Sequence, residues 1–482
     1  MAVTASRLYR PETGFPELHP PLSPEQAVIE AEKCLYCHDA PCVRACPTHI
    51  DIPQFIGRIR NGNVRGAAQT ILHANILGGT CARVCPVEDL CEGACVEETL
   101  LHKPVEISAL QRHAVDHVMD IGIPLFQPGE STGKRVAVIG AGPAGLSCAF
   151  ELRRAGHEVV IFDDREMPGG INTYTIAPYK HTVRFCQEEA MLIEEMGVTF
   201  KMKTRVEKDV AFSDLRRDFD AIFLGIGFGN TRQLGIEGEA AEGVWESLAY
   251  LEAVRTRPAE KMPRANRVVV VGAGNTAIDC ATSAARLGAE RVTILYRRKR
   301  EEVPAFAYEQ DIALGDECEF VCEVNPSRIM SGNGRISGVE VVRMRIGEPG
   351  LDGKSRIEPI PGSEQVIECD QLIKALGQEP WEMIPDLKGL ELKGGCVVVD
   401  PVTHATSLEG VFAGGDCIKV GEVVDAVEHG KIAARGIHCA LFGLDANVLG
   451  LPGDNGTAAQ TWHSVRRADQ IRPPITHLPS IH

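Results

Sequence analysis

Apolar positions along this chain follow two different rhythms. In residues 52–60, 64–74 and 107–115 they recur every three or four places and leave the other side polar, which predicts amphipathic helices. Ser23, Pro24, Glu25 and Gln26 form a helix start upstream, so a short helix is expected over 25–33. Past residue 134 the pattern changes to short, nearly unbroken apolar runs at 135–139, 158–162, 221–224, 267–271 and 291–296. Runs of that kind predict parallel strands covered on both faces. Between the two regimes, 122–133 carries Gly122, Pro124, Pro128 and Gly129 and reads as a linker.

Two of the apolar runs lead into glycine turns. The strand at 135–139 is followed by Gly140, Gly142, Pro143, Ala144 and Gly145, a helix to residue 155, and a second strand ending in Asp163. Glycines at this spacing allow a tight turn, close approach of backbone to a pyrophosphate and close helix–strand packing, and the acid stands where a ribose-hydroxyl acceptor belongs. The same grammar recurs at 267–296, where Gly272, Gly274, Asn275, Thr276 and Ala277 make the turn. Its second strand ends in Arg297, Arg298, Lys299 and Arg300 instead of an acid. Guanidinium groups there suit a 2′-phosphate, so NADP(H) is favoured over NAD(H); the bland reading is a solvated charge run at a strand end.

Similar strand-to-glycine crossings at 221–227 and 371–377 flank the second unit. They imply a chain that leaves an FAD fold, builds a nicotinamide-nucleotide fold and returns. After the return, Gly414, Gly415 and Asp416 end a strand, and residues 423–426, with Val424, open a helix. An Asp after two glycines can bond ribityl hydroxyls, and a helix start can face a pyrophosphate or flavin carbonyls.

The cysteines change the picture upstream. Eight of the 17 lie in Cys34-x2-Cys37-x4-Cys42-x3-Cys46-Pro47 and Cys81-x3-Cys85-Pro86-x4-Cys91-x3-Cys95. Such short spacings suit loops wrapped around [4Fe-4S] cubanes, and eight thiols would serve two of them. A disulfide framework belongs to small secreted domains, and zinc sites favour paired C-x2-C elements, of which there is one here. The other cysteines occur singly and read as reduced, buried thiols.

At 482 residues two to four domains are expected, and 44% hydrophobic with 24% charged residues is ordinary globular composition. Lys+Arg 50 against Asp+Glu 66 gives a net charge of -16, which argues against nucleic acid as a partner. With no long apolar run and no hydrophobic signal core, no membrane partner and a cytoplasmic location are expected. Residues 1–24 read as a proline-rich extended arm and 452–482 as a tail without periodicity, either of which could meet a partner.

Over residues 25–445 this combination resembles the family of glutamate synthase small subunits and the N-terminal half of dihydropyrimidine dehydrogenase. Ala45-Cys46-Pro47-Thr48-His49-Ile50-Asp51-Ile52, and Gly79-Thr80-Cys81 with Arg83-Val84-Cys85-Pro86, look more like the latter, whose flavin subunit is a separate chain in bacteria. The resemblance implies one [4Fe-4S] cluster on Cys34, Cys37, Cys42 and Cys95 and another on Cys46, Cys85, Cys91 and Gln111, with Cys81 a bystander. Spacing alone makes Cys81 the eighth ligand and Gln111 an exposed helix glutamine. The flavin-facing loop would hold Gly169 and Gly170; it departs from the family at Ala177-Pro178, where Ile-Pro is expected.

What the resemblance implies is an NAD(P)H-dependent flavin and iron–sulfur oxidoreductase. As an electron-input subunit it would pass hydride from NAD(P)H to FAD, and single electrons through two clusters to an FMN-containing catalytic subunit reducing uracil or thymine. A glutamate synthase small subunit serving an amidotransferase is the rival, and a non-catalytic redox sensor or scaffold is a rival of another class. No general acid or base is assigned, because the hydride chemistry belongs to the cofactors. The expected fold is multidomain: an N-terminal all-α iron–sulfur domain followed by two α/β Rossmann-like dinucleotide-binding domains, the second inserted in the first. The boundaries are 1–125 for the iron–sulfur domain, 126–258 and 384–445 for the FAD domain, 259–383 for the NAD(P)H domain and 446–482 for the tail.

Overall fold

A computed structural model describes residues 15–122, 124–349, 355–380, 387–447 and 462–466. Its first part is helical: α1 (Pro24–Ala31), α2 (Pro41–Ala45), α3 (Ile52–Arg60), α4 (Val64–Ala74), α5 (Gly78–Val84), α6 (Val96–Leu101) and α7 (Ile107–Ile121). Local chemistry sets several of the starts. Ser23 and Gln26 form a capping box at α1, while the side chains of Asp51 and Asn63 accept backbone N–H groups at the starts of α3 and α4. The apolar faces then meet: Phe55 and Ile59 of α3, Ile71 and Leu72 of α4, and Leu110 and Val115 of α7 share one core. Helix α7 runs past the expected residue 115 and stops at Gly122, whose φ of 60° suits a left-handed cap.

The remaining elements follow as β1 (Arg135–Ile139), α8 (Pro143–Arg154), β2 (Glu158–Phe162), α9 (Ile171–Tyr174), α10 (Val183–Glu195), β3 (Thr199–Lys201), α11 (Phe212–Asp218) and β4 (Ala221–Leu224). Next come β5 (Val244–Glu246), α12 (Ser247–Thr256), β6 (Arg267–Val271), α13 (Asn275–Arg286), β7 (Arg291–Tyr296), α14 (Ala307–Gly315) and β8 (Glu319–Cys322). Then come β9 (Val324–Gly332), β10 (Arg335–Pro349), β11 (Ser355–Pro359), β12 (Gln365–Glu368) and β13 (Gln371–Lys374). The chain closes with β14 (Leu392–Lys393), β15 (Cys396–Val397), β16 (Val411–Ala413) and α15 (Val423–Phe442).

Two parallel sheets carry the architecture. The first has the order β16-β4-β1-β2-β3 and the second β5-β13-β6-β7-β8. Strand β5 lies ahead of residue 259 yet pairs with β13, so the second sheet begins before the expected boundary at 258/259. A third, antiparallel sheet, β11-β10-β12 with β9 also on β10, is absent from the sequence-based expectation. In the first unit α8 and α15 pack closely: a Cβ on Gly430 would stand 2.3 Å from the Ala144 carbonyl, and the Ser147 hydroxyl donates to Val427 O at 2.8 Å.

The described part of the proline-rich arm lies against its own chain. Phe15 is buried in the core of the second sheet, Leu18 N–H donates to Tyr179 O at 2.7 Å, and Arg112 bonds Glu17 and the His19 carbonyl. Pro11 and most of the 452–482 tail fall outside the described residues. Among those described, no helix is long and apolar enough to cross a membrane.

Candidate functional site

The short helices α2 and α5 carry Cys42 and Cys81, and Cys95 stands at the start of α6, so these helices set where the thiols come together. Cys34, Cys37, Cys42 and Cys95 line one small cavity, with Ile52, Ile56 and Val105 behind them. Burial, then the nearby Cys95 and Cys34 thiols, push Cys42 up to about 12. Thiols crowded like this cannot ionise together without a cationic group among them, which suits a cluster. Among the described residues no three His, Cys, Asp or Glu side chains gather at the spacing of a single metal ion.

Cys46, Cys85 and Cys91 form a second neighbourhood. A hydrogen bond with Cys81, burial, and the Cys91 and Cys46 thiols all raise the pKa of Cys85. Cys81 is buried and accepts the Asn75 side-chain N–H at 3.2 Å. Gln111 is not the exposed residue that spacing suggests: it is 6% exposed, and its Nε2 donates to Gly78 O at 2.6 Å. Its Oε1 has no hydrogen bond among the described residues.

In the first α/β unit the glycines form a cradle. Gly140 has φ 104°, and a Cβ there would sit 2.2 Å from Gly225 O; one on Gly145 would sit 1.9 Å from Gly140 O. Gly142, by contrast, has open space in front, with Gly170 Cα at 4.0 Å as its nearest neighbour. Pro143 and Ala144 open α8 behind it. Asp163 receives N–H bonds from Ala141 at 2.7 Å and Arg165 at 2.8 Å, and burial still lifts its pKa above the ordinary carboxylate value. Gly415 has φ 76°, and Asp416 beside it is pushed up to about 6, chiefly by burial. Two desolvated carboxylates at the rim of a glycine cradle fit a ligand rich in hydroxyl donors, as FAD is.

The second unit repeats the cradle. A Cβ on Gly272 would meet Ala375 O at 2.2 Å, while Gly274 faces open space. Asn275 accepts the Phe306 N–H at 3.1 Å, which fixes the start of α14 against α13, and Thr276 is exposed in the first turn. Arg297 and Arg298 are exposed at the end of β7; Arg298 pairs with Glu302 at 3.2 Å. Arg300 turns away, stacked on Phe320 at 4.1 Å from the ring centroid and bonded to Gln310. Space before the glycines with exposed guanidinium groups at the strand end fits a phosphorylated dinucleotide.

Three contacts that no local signal announced tie the units together. Lys180, from the loop after Gly170, reaches Asp279 of α13 at 2.6 Å and Glu309 of α14 at 2.5 Å. Burial pulls its pKa down; the two carboxylates outweigh that and raise it. Arg255 of α12 donates to Asn172 O, Thr173 O and His181 O at 2.7–2.9 Å, holding the same loop. Val423 and Val424, at the start of α15, pack on Cys81 with Val84, Cys85 and Leu90 beside them. These partners are far apart in sequence, so only the fold reveals them.

Comparison with known proteins agrees with this geometry. Residues 11–123 match the family described as dihydropyrimidine dehydrogenase domain II, 4Fe-4S cluster, and residues 134–430 match pyridine nucleotide-disulphide oxidoreductase. The glutamate synthase [NADPH] small chain of Escherichia coli K12 is 36% identical over 441 residues, covering 88% of this chain and 93% of that one. The chain belongs to the glutamate synthase small-chain-like family of pyridine nucleotide-disulphide oxidoreductases. This member is an NAD(P)H-dependent flavin and iron–sulfur oxidoreductase. It is also similar to the NADPH-Fe(3+) oxidoreductase subunit beta of Geobacter sulfurreducens, 38% identical over 430 residues, covering 83% of this chain and 63% of that one. Mycobacterium tuberculosis FprA in complex with NADPH shares the fold, with a TM-score of 0.52 at 15% identity over 64% of this chain and 84% of that one.

Proposed function

We propose that this family member is the electron-input subunit of a heteromeric enzyme, with its nicotinamide-nucleotide unit inserted in its FAD unit. When bound, nicotinamide and flavin supply hydride transfer and the clusters supply one-electron carriage. The chain's own residues bind and orient. Gly140, Gly142 and Gly145 with the α8 start would receive one pyrophosphate, Gly272 and Gly274 with the α13 start the other, and Asp163 and Asp416 would accept sugar hydroxyls. Arg297 and Arg298 would hold a 2′-phosphate. One cluster would rest on Cys34, Cys37, Cys42 and Cys95, and the other on Cys46, Cys85, Cys91 and Gln111.

The observation that carries this reading is the packing of Val423 and Val424 on Cys81 beside Cys85. It sets the second thiol group against the start of α15, the helix that packs on α8 behind the Gly142 turn, and contact of that kind is what an electron path from flavin to cluster needs.

For the partner we favour an FMN-containing subunit that reduces uracil or thymine, on the Ala45–Ile52 and Gly79–Pro86 segments and the family match of residues 11–123. A glutamate synthase partner is the second reading, favoured by 36% identity over nearly the whole of one such small chain. The isolated chain is expected to reduce artificial acceptors with NADPH but not uracil. Reconstitution with the FMN subunit from the same source should restore uracil-dependent NADPH oxidation. Turnover of glutamine with 2-oxoglutarate after adding an amidotransferase subunit would shift the reading to the second.

A further inference from the structure

We propose that the cavity between the cluster domain and the flavin unit binds a small polyvalent anion presenting carboxylate or phosphate oxygens. The cavity measures about 560 Å³, in the range of small-molecule sites and far more than a halide needs. Four helices wall it, α3 and α4 on one side and the last turn of α8 and one face of α15 on the other, with Trp462 and His463 beside them. A ligand there would touch the cluster domain and the flavin unit at once.

Charge argues for an anion. Arg58, Arg154, Lys431 and Arg435 line the cavity against Asp51, Glu151 and Glu428, an excess of one positive charge in a chain of net charge -16. The carboxylates are already engaged within the protein. Glu151 accepts from Arg154 at 3.2 Å and from His463 at 2.5 Å, Glu428 pairs with Lys431 at 2.8 Å, and Asp51 caps α3 by accepting the Gln54 N–H at 3.1 Å. Arg58 has no acid. Its Nη1 donates to Gly66 O at 2.6 Å and Thr70 Oγ1 at 2.8 Å, and its Nε and Nη2 have no partner among the described residues. Neutral acceptors thus fix one edge of a guanidinium and leave the other edge, whose two parallel donors match a carboxylate or phosphate. Lys431, already paired with Glu428, also donates to Thr48 O at 3.2 Å and so ties α15 to the loop ahead of α3, which closes the cavity on that side.

The test is calorimetry on the cofactor-loaded full chain with inorganic phosphate and, separately, succinate, each against sodium chloride at equal ionic strength. One saturable site per chain is expected for at least one probe, and the one that binds names the chemistry. Arg58→Gln should weaken it at least about tenfold by removing the charge-assisted pair. Ile432→Trp should weaken it by narrowing the space without altering a charge, and it decides the matter alone if Arg58→Gln does not fold. Heat no greater than that of sodium chloride for both probes, or undiminished affinity in Ile432→Trp, overturns the site. The readout needs no turnover, so its outcome is independent of the electron path proposed above.

Discussion

Arg297 and Arg298 are two exposed guanidinium groups at a strand end, and their chemistry predicts a selective effect. Replacing both by Ala should raise KM for NADPH at least about tenfold more than KM for NADH, since a charge-assisted phosphate bond contributes ~1.5 to 3 kcal/mol. Equal increases in steady-state kinetics would reduce the pair to surface charge. Gln111 and Cys81 offer the matching test among the thiols. Gln111→Ala should alter one cluster's EPR signal while NADPH still reduces the flavin, and Cys81→Ser should leave both signals intact; the reverse pattern would exchange their roles. The glycines and Asp163 were legible in the sequence because their spacing is local. Gln111 was not, because its burial depends on α7 packing beneath Gly78, and nothing at its own position marks that.

At the scale of elements, the βαβ units were legible for the same reason: strand, turn and helix are contiguous, and both faces are apolar. The antiparallel sheet β9 to β12 was missed because its strands mix buried and exposed positions and hold Pro326 and Gly338, so no clean period emerges. Helices α2, α5 and α6 are too short to show a period at all. The α8–α15 contact carries its own prediction. Gly430→Val places methyl groups where the Ala144 carbonyl and Ser147 already stand, and overpacking of this kind typically costs about 1 to 3 kcal/mol or more. Because Ala144 follows the Gly142 turn, the variant is expected to purify with less flavin per chain, by fluorescence of the flavin released on denaturation, while its iron content is kept.

In the whole molecule, the cluster domain and the flavin unit meet at Glu189, a buried carboxylate of α10 that accepts the Thr80 N–H at 3.0 Å and also bonds the Thr80 hydroxyl. Burial pushes it up to about 7 from an ordinary 4.5, against the Thr80 bonds and the Arg83 charge, which pull it down. Between those two values the folded protein keeps a proton that the unfolded chain has released. Stability contributed by this group is therefore full below about 4.5 and falls as pH rises towards 7, by up to about 1.4 kcal/mol per pH unit, then levels off. Thermal melts from pH 5 to 8 should show this slope in the native chain and a flatter one in Glu189→Gln. Parallel slopes would remove Glu189 as the cause.

The strand order of the first sheet also governs how the chain can be made. β4 waits at its place beside β1 while the ribosome delivers every strand of the second sheet, and only then do β16 and α15 emerge to finish the first. The nicotinamide-nucleotide unit can thus close on itself during synthesis, whereas α8 stays uncovered on the side that α15 will occupy. A ribosome stalled between β13 and β16 would release a chain with one finished sheet and one bare apolar helix, the kind of surface that recruits chaperones or aggregates. On this order the flavin unit can be completed only after α15 has emerged, and a nonsense mutation ahead of α15 is expected to give a chain that retains no flavin.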